Sequence, residues 1–135
     1  MGSLSVSTTV RLGDMAVCAS SGEHSLAMAQ SKRNGGLENT LKPMEVVLAA
    51  LGGCITMVAL ARAPREDLHL RDLRLGIRGD YSAAGGFGTI RIEALVKSSA
   101  PKERLERFFH EVEQVCPVSN SLKGKIELEV IPEKE

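Results

Sequence analysis

The feature that most constrains this chain is a run of sixteen uncharged, almost wholly apolar residues, from Val46 to Ala61. Pro43, a residue that suits the first turn of a helix, precedes the run, and Pro64 follows it. We therefore predict one helix from Pro43 to about Arg62. A helix that is apolar on every side is buried on every side, and a chain of 135 residues has little material to surround it. The run therefore indicates a second subunit.

The length of the run disfavours a transmembrane role. Sixteen helical residues extend about 24 Å, whereas the hydrocarbon core of a bilayer is ~30 Å thick. Gly52 and Gly53, in the middle of the run, weaken the case further. The first residues of the chain also lack the basic segment and the continuous apolar segment of a secretory signal. We therefore predict a cytoplasmic protein with no membrane partner.

Composition disfavours several functional classes. Lysine plus arginine and aspartate plus glutamate each number 17, so the formal net charge is zero and no overall field attracts nucleic acid. Aromatic residues make up 3% of the chain, too few for a surface on which bases stack. The three cysteines are widely spaced and odd in number, which suits a reducing compartment better than a disulfide scaffold. We expect no nucleic-acid partner.

Hydrophobic periodicity predicts a single α+β domain over residues 1–135, with the order βββ, α, ββ, α, β and a mainly antiparallel sheet. A turn at Gly13 and Asp14 joins the first two strands. A strand segment from Leu68 to Asp80 follows the long helix, with a bulge or bend near Arg71 and Asp72, and the next strand contains Ile90 to Val96. An amphipathic helix with serine caps then leads to the last strand. Its predicted inward residues are Leu105, Phe108, Phe109, Val112 and Val115.

Cysteine is the residue type in this sequence that is best suited to reactive chemistry. The histidines are far apart and no CxxC is present, so we expect neither a metal site nor a cofactor. Cys18, in a predicted strand, is interpreted as a buried structural residue. Cys54 is either a packing residue of a dimer core or a reactive thiol. Cys116 precedes Pro117 and a possible helical turn, whose free N–H groups would stabilise a thiolate. If the fold brings Cys54 and Cys116 together, the pair could be oxidised and reduced reversibly.

The segments "KPMEVVLAALGGCITMVAL" and "CPVSNSLK" resemble the two cysteine motifs of the OsmC/Ohr family, whose best known members are organic hydroperoxide reductases. The resemblance implies an intertwined homodimer in which long central helices are buried between the subunits. It also implies that Cys54 is the peroxidatic thiol and Cys116 the resolving thiol. The disulfide between them would form during turnover and be reduced by a small or lipoyl-type dithiol.

In the peroxidase members of that family an arginine activates the thiol, and a glutamate directly after the helix-opening proline holds the arginine. Here Met44 follows Pro43, so the resemblance transfers the glutamate's role to Glu45, one position later. Arg11 is the first candidate for the arginine and Arg33 the second. The predicted function is reduction of organic or fatty-acid hydroperoxides. The alternative is a non-enzymatic binder of hydrophobic small molecules, or a redox sensor, with the same fold.

Overall fold

The structure, a computed structural model, describes residues 2–11 and 15–134, apart from the side chain of Arg11. The chain forms two compact units, Met1–Val47 and Leu48–Glu135. Within the described residues the element order is βββ, α, ββ, α, α, β, which is the predicted α+β order with one additional short helix. The predicted turn at Gly13 and Asp14 lies outside the described residues, and the single domain over residues 1–135 stays a prediction.

The N-terminal unit contains an antiparallel sheet in the order β1-β2-β3. Its strands are Ser7–Arg11, Ala16–Ser21 and His24–Ala29. In the middle strand Ala19 is buried, whereas the neighbouring Cys18 is exposed. The prediction that Cys18 is a buried structural residue is therefore wrong. Successive residues of a strand point to opposite faces, and Cys18 lies on the open face of this sheet.

The long helix α1 spans Pro43–Arg62, as the sequence predicts, and a 3₁₀ turn over Ala63–Glu66 follows it. A glutamate at the third helical position caps the first turn. Glu45 Oε1 accepts a hydrogen bond from the backbone N–H of Lys42 at 2.9 Å, which is the glutamate half of a capping box. Glu45 therefore has a structural role that depends only on its neighbours in sequence.

One face of α1 is buried within the chain and another is open. The buried residues are Leu51, Gly52, Ile55 and Ala59. On the open face, Met57 is 73% exposed and Leu60 is 55% exposed. The segment Pro43–Glu66 is long and apolar enough to cross a membrane, a criterion that core helices of soluble proteins also meet. This segment is longer than the apolar run of sixteen residues, because the helix extends beyond the run at both ends.

The C-terminal unit contains a second sheet in the order β4-β5-β6. Its strands are Asp72–Ser82, Gly86–Lys97 and Lys125–Glu133. β4 is antiparallel to β5, whereas β6 is parallel to β5. The chain bends at Arg71, directly before β4 begins, so the bend predicted near Arg71 and Asp72 is confirmed and explains the change of hydrophobic phase after Leu70. A separate register shift lies between Gly79 and Tyr81, which the sequence did not predict.

Two helices, α2 (Lys102–Val115) and α3 (Pro117–Ser121), lie between β5 and β6 in the chain. Four of the five predicted inward residues of α2 are buried: Leu105, Phe108, Phe109 and Val112. Val115 is 51% exposed, so its predicted inward position is wrong. The helix ends there, and Cys116, four residues after Val112, takes the buried position instead.

The serine caps predicted for α2 are also absent from its described first turn. The N-cap residue is Pro101, which makes no side-chain capping bond. Ser98 Oγ accepts a hydrogen bond from the Ala100 N–H at 3.2 Å and donates one to the carbonyl oxygen of His69 at 2.7 Å. The serine hydroxyl therefore stabilises the turn before the helix rather than the helix itself.

Candidate functional site

Cys116 lies at the junction of α2 and α3 and completes both helices. Its backbone N–H donates to the carbonyl oxygen of Glu113 at 3.3 Å, which closes α2. Its sulfur accepts a hydrogen bond from the backbone N–H of Ser119 at 3.5 Å and so caps α3. Pro117 occupies the first position of α3, where its missing N–H costs nothing. The helical turn predicted after Cys116 is therefore confirmed.

The Cys116 side chain is fully buried, with 0% exposed. Burial raises the pKa of the Cys116 thiol above its ordinary value, because a buried thiolate loses its hydration. The backbone N–H of Ser119 opposes this shift, and the side chain of Cys54 adds to it. The balance keeps Cys116 as a neutral thiol at neutral pH, and a neutral thiol is able to donate its S–H.

The structure brings Cys54 and Cys116 together, although they lie far apart in the sequence. Cys54, in the middle of α1, is partly buried and packs against the hydrophobic core that contains Cys116. Cys54 is close enough to Cys116 to contribute to the raised pKa of the Cys116 thiol. Both cysteines are free thiols. Disulfide formation requires two thiols that lie close together in space.

Ser119 and Glu113 both form hydrogen bonds with Cys116, and neither was predicted from the sequence. Ser119 is only 6% exposed, and its hydroxyl donates to Glu113 Oε1 at 2.6 Å. Glu113 thus binds the Cys116 region twice, through its backbone carbonyl and through its carboxylate. The available sequence signal was a serine three residues after a candidate N-cap, a position where side chains often bond to neighbouring polar groups.

The predicted activating residues belong to the N-terminal unit, whereas both thiols belong to the C-terminal unit. Glu45 is exposed and caps α1. Arg11 ends β1, and its side chain lies outside the described part of the chain. Arg33 is exposed in a short 3₁₀ turn, Lys32–Asn34. The roles of Glu45 and Arg11 in activating Cys54 therefore stay predictions.

Within residues 2–11 and 15–134, no group of three or more histidine, cysteine, aspartate or glutamate side chains could hold a metal ion.

The sequence profile of a known family, described as OsmC-like protein, matches residues 35–131. This match covers well over half of the chain and includes both Cys54 and Cys116. The chain belongs to the OsmC-like protein family. A search of curated proteins finds no match to the sequence.

Solved structures similar to this OsmC-like chain share its fold at low sequence identity. An OsmC-like protein from Mycoplasma pneumoniae has a TM-score of 0.87 at 19% identity, over 97% of each chain. An OsmC-like protein of unknown function from Vibrio cholerae has a TM-score of 0.85 at 18% identity, over 97% of this chain and 100% of that one. An organic hydroperoxide resistance protein from Legionella pneumophila has a TM-score of 0.72 at 17% identity, over 98% and 99%.

These likenesses confirm the predicted α+β OsmC-like fold, with two small sheets and a long central helix. Family membership confirms the resemblance found from the two cysteine motifs. The intertwined homodimer stays a prediction.

Proposed function

We propose that this OsmC-like protein is a thiol-dependent peroxidase that reduces organic or fatty-acid hydroperoxides to alcohols. The observation that carries the proposal is the packing of Cys54 against the buried core that contains Cys116, close enough to affect the pKa of the Cys116 thiol. The family supports it, because structural neighbours of this chain include organic hydroperoxide resistance proteins. The pairing of two free thiols in one core offers an oxidisable site that needs no metal or cofactor.

The difference in burial supports the division of roles between the two cysteines. Cys54 is partly exposed whereas Cys116 is fully buried. A hydroperoxide from solution therefore meets the Cys54 sulfur first, and we assign Cys54 as the peroxidatic thiol. Cys116 is the resolving thiol, because its burial protects it from direct oxidation and Cys54 packs against the core that contains it.

The proposed reaction has three steps. The Cys54 thiolate attacks the terminal oxygen of the hydroperoxide, the O–O bond breaks, and the alkoxide takes a proton and leaves as alcohol. Cys116 then attacks the Cys54 sulfenic acid, which forms a Cys54–Cys116 disulfide and releases water. A dithiol of the small or lipoyl type supplies two electrons and two protons, reduces the disulfide and is itself oxidised to a disulfide.

Three further parts belong to the proposal. Glu45 orients an arginine toward Cys54 with the carboxylate oxygen that does not cap α1, and Arg11 is the first candidate for that arginine, with Arg33 second. The protein acts as a cytoplasmic homodimer, whose second copy covers the open face of α1. It has neither a nucleic-acid partner nor a membrane partner.

The test is to add one equivalent of cumene hydroperoxide to the reduced protein and to measure its intact mass under nonreducing, denaturing conditions. We expect a loss of two hydrogens and a peptide that links Cys54 to Cys116. Cys54→Ser should consume no peroxide. Cys116→Ser should react once and then accumulate overoxidised Cys54. Cys18→Ser is the matched control, because it removes an exposed thiol and should leave turnover unchanged.

Two results would contradict the peroxidase proposal. The first is an unchanged mass with the peroxide still present. The second is full activity in Cys54→Ser, which would mean that another group carries the reaction.

The alternative function, binding of hydrophobic small molecules, is favoured by a groove of about 390 Å³ in the N-terminal unit. Its apolar lining residues are Val6, Ala19, Leu26, Met28 and Val46. This volume falls within the range of small-molecule sites. Saturable binding of a fluorescent fatty-acid analogue, lost in Leu26→Asp, together with unreactive thiols would favour the binder over the peroxidase.

A further inference from the structure

The short helix α3 has little stability of its own. It contains five residues, far fewer than an isolated helix needs in water. Its position therefore depends on bonds to its surroundings. The bond from the buried Ser119 hydroxyl to Glu113 Oε1, at 2.6 Å, attaches α3 to the last turns of α2.

The same serine also contacts the resolving thiol. The Ser119 backbone N–H donates to Cys116 Sγ at 3.5 Å, while the Cys116 N–H donates to the Glu113 carbonyl oxygen at 3.3 Å. Glu113, Ser119 and Cys116 thus form a closed loop of hydrogen bonds, and a movement of Ser119 would move the donor that holds the sulfur. The loop lies beside the Cys54 side chain, with which Cys116 interacts.

We infer that Glu113 and Ser119 are positioning residues that hold the Cys116 sulfur in reach of Cys54 and so determine the rate of disulfide formation. The inference rests on the proposed function for its biological meaning. The physical expectation concerns only the two chemical steps at the thiols. The Glu113–Ser119 bond should affect the second chemical step, attack by Cys116 on an activated Cys54 sulfur, and should leave the first step, attack by Cys54 on an oxidant, unchanged.

A disulfide reagent separates the two steps without peroxide. In a Cys18→Ser background, Cys54 attacks 5,5′-dithiobis(2-nitrobenzoate), forms a mixed disulfide and releases one thionitrobenzoate. Cys116 then attacks the Cys54 sulfur, forms the Cys54–Cys116 disulfide and releases the second thionitrobenzoate. The first phase depends on reagent concentration and the second does not, so absorbance at one wavelength measures both.

Ser119→Ala removes the hydroxyl that bonds to Glu113. We expect the second phase to slow roughly tenfold, because small displacements of reacting groups are costly, and the first phase to keep its rate. Ser121→Ala is the matched control. Ser121 lies in the same helix and its hydroxyl donates to the Pro117 carbonyl oxygen at 2.8 Å, so this variant loses a hydrogen bond of α3 but leaves the loop intact.

A pair of Glu113 variants tests the other end of the bond and does not depend on whether Ser119→Ala folds. Glu113→Gln keeps an oxygen that accepts from the Ser119 hydroxyl, whereas Glu113→Ala does not. We expect the second phase to be slow in Glu113→Ala and close to that of the parent in Glu113→Gln. A general loss of stability would not slow the second phase alone.

Three results would overturn the inference. These are an unchanged second phase in both Ser119→Ala and Glu113→Ala, equal slowing in Ser121→Ala, or equal slowing of the first phase. The proposed function fails separately, if the parent protein shows both phases with the disulfide reagent but consumes no hydroperoxide. If the parent does consume hydroperoxide, Ser119→Ala and Glu113→Ala oxidised with cumene hydroperoxide should retain more Cys54 sulfenic acid, trapped with dimedone, than the parent.

Discussion

At the scale of single residues, the burial of Cys116 has a consequence for stability as the pH rises. Because burial raises the pKa of this thiol, the folded protein keeps the proton at pH values where the unfolded chain loses it. The contribution to stability is complete below about pH 8.5, the ordinary thiol pKa, and is lost as the pH rises toward the folded value. We expect the stability difference between the protein and Cys116→Ala to shrink as the pH rises above about 8.5.

Urea unfolding with a reductant present, repeated across this pH range, measures that difference. Val112→Ala is the control, because Val112 is buried in the same core and does not titrate. Its destabilisation should stay constant with pH. A constant difference for Cys116→Ala as well would show that folding does not favour the protonated thiol.

The sequence identified some site residues and missed others for a physical reason. Cys54 and Cys116 were found because each stands in a recognisable motif. Glu113 and Ser119 were missed, because the bond between a helix and the next turn depends on the angle at which the chain reverses. Cys18 was misassigned, because a short strand pattern does not indicate which face of a sheet is covered. The capping bond of Glu45 joins residues three apart in the sequence, so it could be predicted from local sequence. The proposed interaction of Glu45 with an arginine depends on distant residues and could not be predicted in that way.

At the scale of the elements, the approach of β6 to β5 depends on a glycine. A Cβ added at Gly124, directly before β6, would overlap the carbonyl oxygen of Gly88. Backbone atoms cannot move aside as the end of a side chain can, so Gly124→Ala must displace the start of β6. We expect a loss of about 1–3 kcal/mol in the free energy of unfolding, measured by thermal or urea denaturation.

Gly76→Ala is the control for this substitution. Gly76 lies in β4, and an added Cβ there meets nothing within 4 Å. The control should therefore be as stable as the parent protein or slightly more stable, since alanine restricts the unfolded chain. Equal stability of Gly124→Ala and the parent would mean that the β5–β6 contact is looser than described.

Elements were predicted well where periodicity was strong. The long helix follows from its flanking prolines, and the buried face of β5, Ile90, Ile92, Ala94 and Val96, follows from alternation alone. The parallel direction of β6 could not be read from the sequence, because alternation is the same for both directions. Its pairing with β5 depends on how α2 and α3 return the chain, which is a property of packing.

At the scale of the whole molecule, the open face of α1 is the feature that bears on the second subunit predicted from the apolar run. The sequence predicted a helix buried on every side, and within the single chain one side remains open. Met57 and Leu60 are largely exposed there, and large exposed apolar surfaces in soluble proteins mark interaction sites. The sequence could predict that this face needs a partner surface, but it could not specify the contacts, because the residues that would meet in the proposed dimer are brought to one surface only by folding.

The homodimer proposal makes this face the interface and can be tested by one charge. Met57→Asp would place a carboxylate at an apolar contact, and burying an unpaired charge is strongly unfavourable. We expect the dimer to weaken by about 2 kcal/mol or more, which is a roughly 30-fold higher dissociation constant. Light scattering after size exclusion over a range of concentrations measures it. Arg107→Asp, at an exposed position of α2, introduces the same residue on a different helix and should remain dimeric. A parent protein that is monomeric at all concentrations, or a Met57→Asp variant that dimerises like the parent, would exclude this face as the interface.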